Sequence, residues 1–424
     1  MKKKILSFIL LGFMNMLFVS AQETFRVMFY NLLNYPEEDA VPNREDDLAF
    51  ILADYQPDLF FVCELNNITG ANTVLNITQT VINPNFDMAT YVSNTSDDNF
   101  GDQNDLQNML YYDSSKFILE EEIIVPTDLR DFNVYKLKLN TVDQDINPVE
   151  IYVIVCHLKA SSGIENAQRR FEMVLELDAF LETLPADSNI VLGGDLNLYT
   201  ASESAFQELL DSSDAITFAD PANRIGSWNN NPTFVDVFTQ STRTQSGFGG
   251  TTGGFDDRFD FILTSENMLG SSNITYVPNS YKVWGNNALV SCYNSAINSS
   301  NCGNIDSEFS FELRNALHNF SDHLPVTLSL EADVTLSDDN DVIFTQDITL
   351  ERSVVDSEIT LYVNSPQLFN QAINIYNQIG ELVDTYHLNT NQRQSFSTNQ
   401  LSNGMYYMTF SNTFSTPLKF IVSH

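Results

Sequence analysis

The chain has 424 residues, with 20 lysines and arginines against 56 aspartates and glutamates, a formal net charge of −36. A surface this acidic repels phosphate polymers in bulk, which argues against tight nucleic-acid binding. Any polyanionic substrate must meet a local cation or screening salt. Hydrophobic residues make up 43% of the chain, enough for two or three cored domains, which excludes a disordered protein.

Lys2-Lys3-Lys4, the apolar run 5–19 and Val19-Ser20-Ala21 fit a cleaved signal peptide over residues 1–21. The run is short for a membrane span, and no later stretch is apolar enough to be one. The protein is therefore expected to be exported, which permits disulfides. Cys292 and Cys302 flank a polar loop and are the expected pair. Cys63 and Cys156 each sit in a buried-looking strand, where two free thiols or a second bridge fit equally.

A strand over 24–31 ends on Asn31. Asn43 is placed to cap a helix with Leu48, Ile51, Leu52 and Tyr55 on its apolar side, and Pro57 stops it. A strand over 59–64 follows, then a helix over 70–82. Residues 94–105 read as a solvated acidic loop. Asp97, Asp98, Asn99 and Asp102 there lack full calcium-loop spacing. Strands are predicted near 107–112, 117–125, 133–139 and 150–157, the last ending at His157. The clearest helix spans 164–184, with Ile164, Phe171, Val174, Leu175, Leu181 and Leu184 at helical spacing. Residues 219–257 are polar and glycine-rich, which predicts a mobile surface loop near a site. Strands at 258–263 and 324–330 close this part. Strands alternating with helices, plus antiparallel pieces, predict an α/β sandwich of two sheets with helices outside, over 22–336. Residues 337–344 form an acidic linker. Short alternating strands over 345–424 predict a small all-β sandwich.

The chain is organised around Ile190-Val-Leu-Gly-Gly-Asp-Leu-Asn197, a buried strand opening into Asp195 and Asn197 on one face. Polar groups end or interrupt five other apolar runs: Asn31, Glu64, His157, Asp260, and the pair Asp322-His323. Asp260 lies inside Arg258-Phe-Asp-Phe-Ile-Leu263, so it is buried and needs a partner. The Ser321-Asp-His323 turn is a candidate source, and a structural pair with Arg258 is the alternative. Any one of these residues is as readily structural as functional. Jointly, a structural account becomes improbable.

In order and text these six blocks resemble the endonuclease/exonuclease/phosphatase superfamily, over roughly 24–332. The resemblance implies a deoxyribonuclease-like four-layer α/β fold and metal-dependent phosphoester hydrolysis, on nucleic acid or another phosphoester. It implies that Asn31 and Glu64 place a divalent metal, magnesium first, with manganese or calcium as alternatives, and that Asp322 reaches it through water. His157 and His323 would flank the scissile phosphate, Asp260 would orient His323, Asp195 would orient or deprotonate water, and Asn197 would hold the water or a phosphate oxygen. Whether His323 or Asp195 is the base stays open. In Gln107-Asn-Met-Leu-Tyr-Tyr112, Asn108 and Tyr112 match a block that touches phosphate backbone, with core packing as the rival, and Arg258 is a further candidate substrate contact. Leu33 departs from the acid many relatives carry there. The text sits nearest the nuclease branches. A phosphatase or sphingomyelinase-like phosphodiesterase is the alternative.

The tail resembles the C-terminal sorting domain of the Bacteroidetes type IX secretion system, through Ala372-Ile-Asn-Ile-Tyr-Asn-Gln-Ile-Gly-Glu-Leu-Val383, Leu401-Ser-Asn-Gly-Met-Tyr-Tyr407 and Lys419-Phe-Ile-Val422. It implies passage through the periplasm to the surface or medium, with the type IX machinery as partner; separately, a monomer is expected. An adhesive or carbohydrate-binding sandwich is the rival.

Overall fold

A computed structural model describes residues 22–97, 106–337, 348–364, 368–369, 372–410 and 418–424. The expected signal peptide, Asp98, Asn99, Asp102 and the linker beyond residue 337 lie outside them.

In chain order the elements up to residue 333 are strands β1 (Gln22–Tyr35), β2 (Leu59–Leu65), β3 (Phe86–Met88), β4 (Gln107–Asp113), β5 (Phe117–Val125), β6 (Phe132–Leu139), β7 (Glu150–His157), β8 (Ile190–Asp195), β9 (Phe218–Ala219), β10 (Asp260–Ser265), β11 (Thr275–Tyr276), β12 (Lys282–Val283) and β13 (Val326–Asp333). The helices are α1 (Arg44–Tyr55), α2 (Ile68–Val81), α3 (Ile164–Leu181), α4 (Ser204–Leu209) and α5 (Phe311–Phe320). One sheet runs β11-β13-β1-β2-β4-β3, with β12 on β13, and the other runs β5-β6-β7-β8-β10-β9.

The central strands are apolar on both faces because both faces are covered. In β2, six of seven residues are buried, and Glu64 is the exception. Side chains alternate across each strand of the second sheet. Val153, Val155, Val191 and Ile262 face inward to the core shared with the first sheet. Ile154, Cys156, Leu192, Phe261 and Leu263 face outward to a second core under α3 and α4. Helices α1, α2 and α5 cover the outer face of the first sheet, completing helix, sheet, sheet, helix. Gly193 is required by this packing, since a Cβ there would lie 2.0 Å from the Phe61 ring of the facing sheet.

Local expectations differ from the structure at the start of α1 and along α3, among other places. Asn43 adopts a left-handed backbone and its side chain caps nothing, whereas Asn67 caps α2 by accepting from Gly70 N–H. In α3 the inward face is Met173, Val174, Leu177 and Leu181, while Ile164 is 87% exposed.

Beyond residue 347 the described strands form two sheets, with Ile359, Leu361, Ile373, Ile375, Met408 and Phe420 in their core.

Candidate active site

Register places the site before any side chain is considered. His157 on β7 pairs with Asp195 on β8, and Asp195 pairs with Asp260 on β10. The three share a row across adjacent strands and point to the inner face. In the other sheet β1 and β2 run parallel, with Asn31 opposite Cys63, so Glu64 comes one residue later at the same level. Glu64 and Asn197 both take left-handed backbone conformations as their strands end. Ser321 ties the third segment in by donating to the Asn31 carbonyl at 2.8 Å. The strand ends of both sheets thus open on one cleft of about 410 Å³, lined by Glu64, Arg130, His157, Asp195, Asn197, Asp322 and His323 among others.

Asn31 is fully buried and donates from one amide to Glu64 (2.9 Å) and Asp195 (3.1 Å). Glu64 also accepts from Asn34 N–H at 3.1 Å. His157 lies 3.6 Å from Asp195 through Nε2 and 3.9 Å from Glu64 through Nδ1, and Nδ1 has no hydrogen-bond partner. Asp195 accepts from Asn197 N–H at 3.1 Å. His323 Nδ1 is 2.6 Å from Asp260, and its Nε2 is 3.8 Å from Asp195.

Burial and crowding set the charges. Burial, with Asp322 next, raises the Glu64 carboxyl. Burial lifts Asp195 to about 8, with Asp260 and Glu64 adding to it and His323 opposing. His157 is held well below the ordinary histidine value, first by burial and then by Arg130, so it is neutral. Burial also works against a charge on His323, but Asp260, Asp322 and Asp195 outweigh it and hold the imidazolium well above the usual value.

Two crowded carboxyls that resist ionisation, beside an unpartnered imidazole nitrogen, suit a cation held between them. Glu64, His157 and Asp195 each offer an atom within 4.8 Å of the others. Such an oxygen-rich set suits a hard divalent ion. Asp322 lines the same cleft. One of its oxygens accepts from Thr251 N–H at 2.6 Å, and the other has no partner.

Three sequence candidates do not reach the cleft. Asn108 spends its amide between the sheets, on the carbonyls of Asp131 and Val155 and the side chain of Asn133. Tyr112 is buried opposite Leu59, at the far end of β2 from Glu64. Arg258 is fully buried and pairs bidentately with Asp220 at 2.8 Å, over the Phe261 ring, so its partner is Asp220 and not Asp260. Alternation explains this, because Phe259 and Asp257 on either side line the cleft while Arg258 points away.

Sequence reading missed Arg130. Its guanidinium donates to the carbonyls of His157 and Leu158, its Nε is buried without a partner, and it lines the cleft. An arginine just ahead of a strand, in a chain with only 20 lysines and arginines, was the available signal. Cys292 and Cys302 are bonded, and Cys63 and Cys156 are buried free thiols whose burial pushes them up. The glycine-rich loop is anchored, since Arg243 donates to the carbonyls of Phe248 and Gly249 and of His318 and Asn319.

Fold and cleft together define a two-sheet α/β sandwich with a carboxylate–histidine–amide site at its strand ends, followed by an all-β tail. Residues 355–423 match the family model described as the secretion system C-terminal sorting domain. The chain therefore carries such a domain in the tail where the sequence predicted it. No curated protein matches the chain in sequence. Similar solved structures include the human Nocturnin catalytic domain (15% identity, TM-score 0.44, 72% of this chain and 94% of that one). A D. rerio TDP2 complexed with single-strand DNA product aligns at 16% identity and TM-score 0.44, over 72% of this chain and 98% of that one. An endonuclease/exonuclease/phosphatase family protein from Bacteroides thetaiotaomicron aligns at 14% identity and TM-score 0.43, over 74% and 99%. Among the described residues no helix is long and apolar enough to cross a membrane.

Proposed function

We propose that this chain is a secreted, divalent-metal-dependent phosphoester hydrolase, of the kind its sequence resembles, that cleaves extracellular nucleic acid. One observation carries the reading. Asn31, Glu64, His157, Asp195, Asn197, Asp260 and His323, scattered over nearly 300 residues of sequence, line or support one cleft.

Glu64, with Asn31 and Asp195 beside it, would hold the metal, which when bound supplies positive charge against the phosphate. The protein's own groups do the rest. His323, kept cationic by Asp260, offers a hydrogen bond to a phosphate oxygen. Neutral His157 offers a second polar contact across the cleft. Arg130 supplies a cationic rim in an otherwise acidic setting, which receives the anion despite the overall charge. Asp195, across from His157 in the cleft, is placed to take the proton of an attacking water, and Asn197 flanks it. His323 is the rival base, and its attachment to Asp260 favours the cationic role instead. Export through the type IX machinery is assigned to the tail, residues 345–424. The catalytic unit is assigned to residues 22–336, after removal of 1–21.

The test incubates the protein with plasmid DNA and with RNA, plus magnesium or plus chelator. Chelator-sensitive cleavage of either is expected. No cleavage of both ends the nuclease reading. A second reading, hydrolysis of small phosphate esters or lipid phosphodiesters, is supported by the cleft's charge, since Asp257 and Asp322 line it beside Arg130. Turnover of such esters with inert nucleic acid would select it.

A further inference from the structure

His323 is held from behind by Asp260, but a single hydrogen bond leaves the ring free to swing about that contact. The cleft-facing nitrogen decides where the ring stops. The Gln240 amide nitrogen lies 2.6 Å from it. An amide carries a donor and an acceptor at its two tips, so it can serve this nitrogen whether or not the nitrogen bears a proton. With the ring cationic both of its nitrogens carry protons, so the amide oxygen is the tip that must face it.

Gln240 itself is clamped. Its N–H donates to the Asp257 carbonyl at 3.0 Å, and its carbonyl accepts from Asp256 and Asp257 at 3.0 and 2.9 Å. Next to it, Thr239 donates to the Asp257 carbonyl (2.8 Å) and accepts from Leu324 N–H (2.8 Å). The backbone therefore sits between the segments that carry Asp257 and His323, both of which line the cleft. Gln240 is 9% exposed and lines the cleft too. A residue needed only for packing would be apolar here, because a buried amide is tolerated only when hydrogen-bonded.

We propose that Gln240 is a positioning residue, whose amide fixes the swing of the His323 ring and shares its cleft-facing N–H with the phosphate oxygen that the ring addresses. The kinetic consequence rests on the phosphoesterase reading; the contact does not. Carboxylate, imidazole and amide then form one rigid line, Asp260–His323–Gln240.

The test uses the full chain. Gln240→Met keeps length and volume and removes the amide, and Gln240→Glu keeps an acceptor. Gln240→Asn, which draws the amide back by one carbon, replaces Met if that variant does not fold. Gln240→Met should lower kcat about tenfold or more, the equivalent of about 1.4 kcal/mol, with KM within about threefold. Gln240→Glu should recover part of kcat. In parallel, the ¹⁵N signal of His323 Nε2, assigned by its loss in His323→Gln, should move in Gln240→Met while those of the other histidines stay. An unchanged kcat overturns the proposal, even where the signal moves. If the wild type hydrolyses no phosphoester, the kinetic arm falls with the functional reading. The signal then decides alone: movement upholds the contact, and none overturns it.

Discussion

Arg258→Met tests whether Arg258 is a structural cation or a substrate contact. The guanidinium and the Asp220 carboxylate are 0% and 1% exposed, joined by two bonds of 2.8 Å, and Tyr281 adds a third contact at 3.0 Å. Burial alone would raise Asp220, but Arg258 more than offsets it and holds the carboxyl below its usual range. Methionine fills the volume but strands the carboxylate, leaving it the N–H groups of Ala222 and Arg224. Breaking a buried pair from one side costs about 3–5 kcal/mol. At about 2 °C per kcal/mol for a unit of this size, Tm falls by roughly 6–10 °C. The loss also has a pH signature. A depressed carboxyl contributes stability above its unfolded pKa and loses it as pH falls through the folded value, so wild type and variant converge in acid. Scanning calorimetry at several pH values reads both effects. Below the transition, kcat and KM should match wild type. A variant with unchanged Tm and lost activity would refute the structural assignment and return Arg258 to the substrate.

Asp260→Asn should lower kcat by about 10²-fold or more, because the asparagine no longer holds His323 cationic and aimed; steady-state kinetics on a chromogenic phosphodiester checks it. Magnesium should raise Tm more at about pH 8.5 than at about pH 6. The reason is that the raised carboxyls of Glu64 and Asp195, the latter near 8, bind protons in competition with the ion, and the proton wins at low pH. Equal magnesium stabilisation at both values would remove Glu64 and Asp195 from the cation site. Arg130→Met should raise KM about tenfold or more, the loss of a hydrogen bond to a charged group, with a smaller effect on kcat; an unchanged KM would leave Arg130 as a brace for the His157 carbonyl.

Much of the cleft was legible because its residues sit at strand ends. An acid, amide or histidine that terminates an apolar run stands out against alternation, as Glu64 does after Phe61-Val-Cys63. Asp260, inside Phe-Asp-Phe, announced a need for a partner, though not which one. Arg258 and Tyr112 were misplaced for a related reason. A polar tip within an apolar run reads the same whether it faces a cleft or a buried partner, and Asp220 lies 38 residues from Arg258. Gln240 left no signal, since Thr-Gln-Ser in a loop is ordinary text.

The sequence by itself determined the layers, the sorting tail and which residues end the strands. These follow from local periodicity and composition, which neighbouring residues carry. Only the tertiary structure decided that His157, Asp195 and Asp260 stand in one row, that Asp220 rather than Asp260 takes Arg258, and that Arg130 and Gln240 line the cleft. Register and side-chain partnership are set by contacts between strands and loops distant in the chain, and alternation along a single strand fixes only which face a residue takes, not what it meets there.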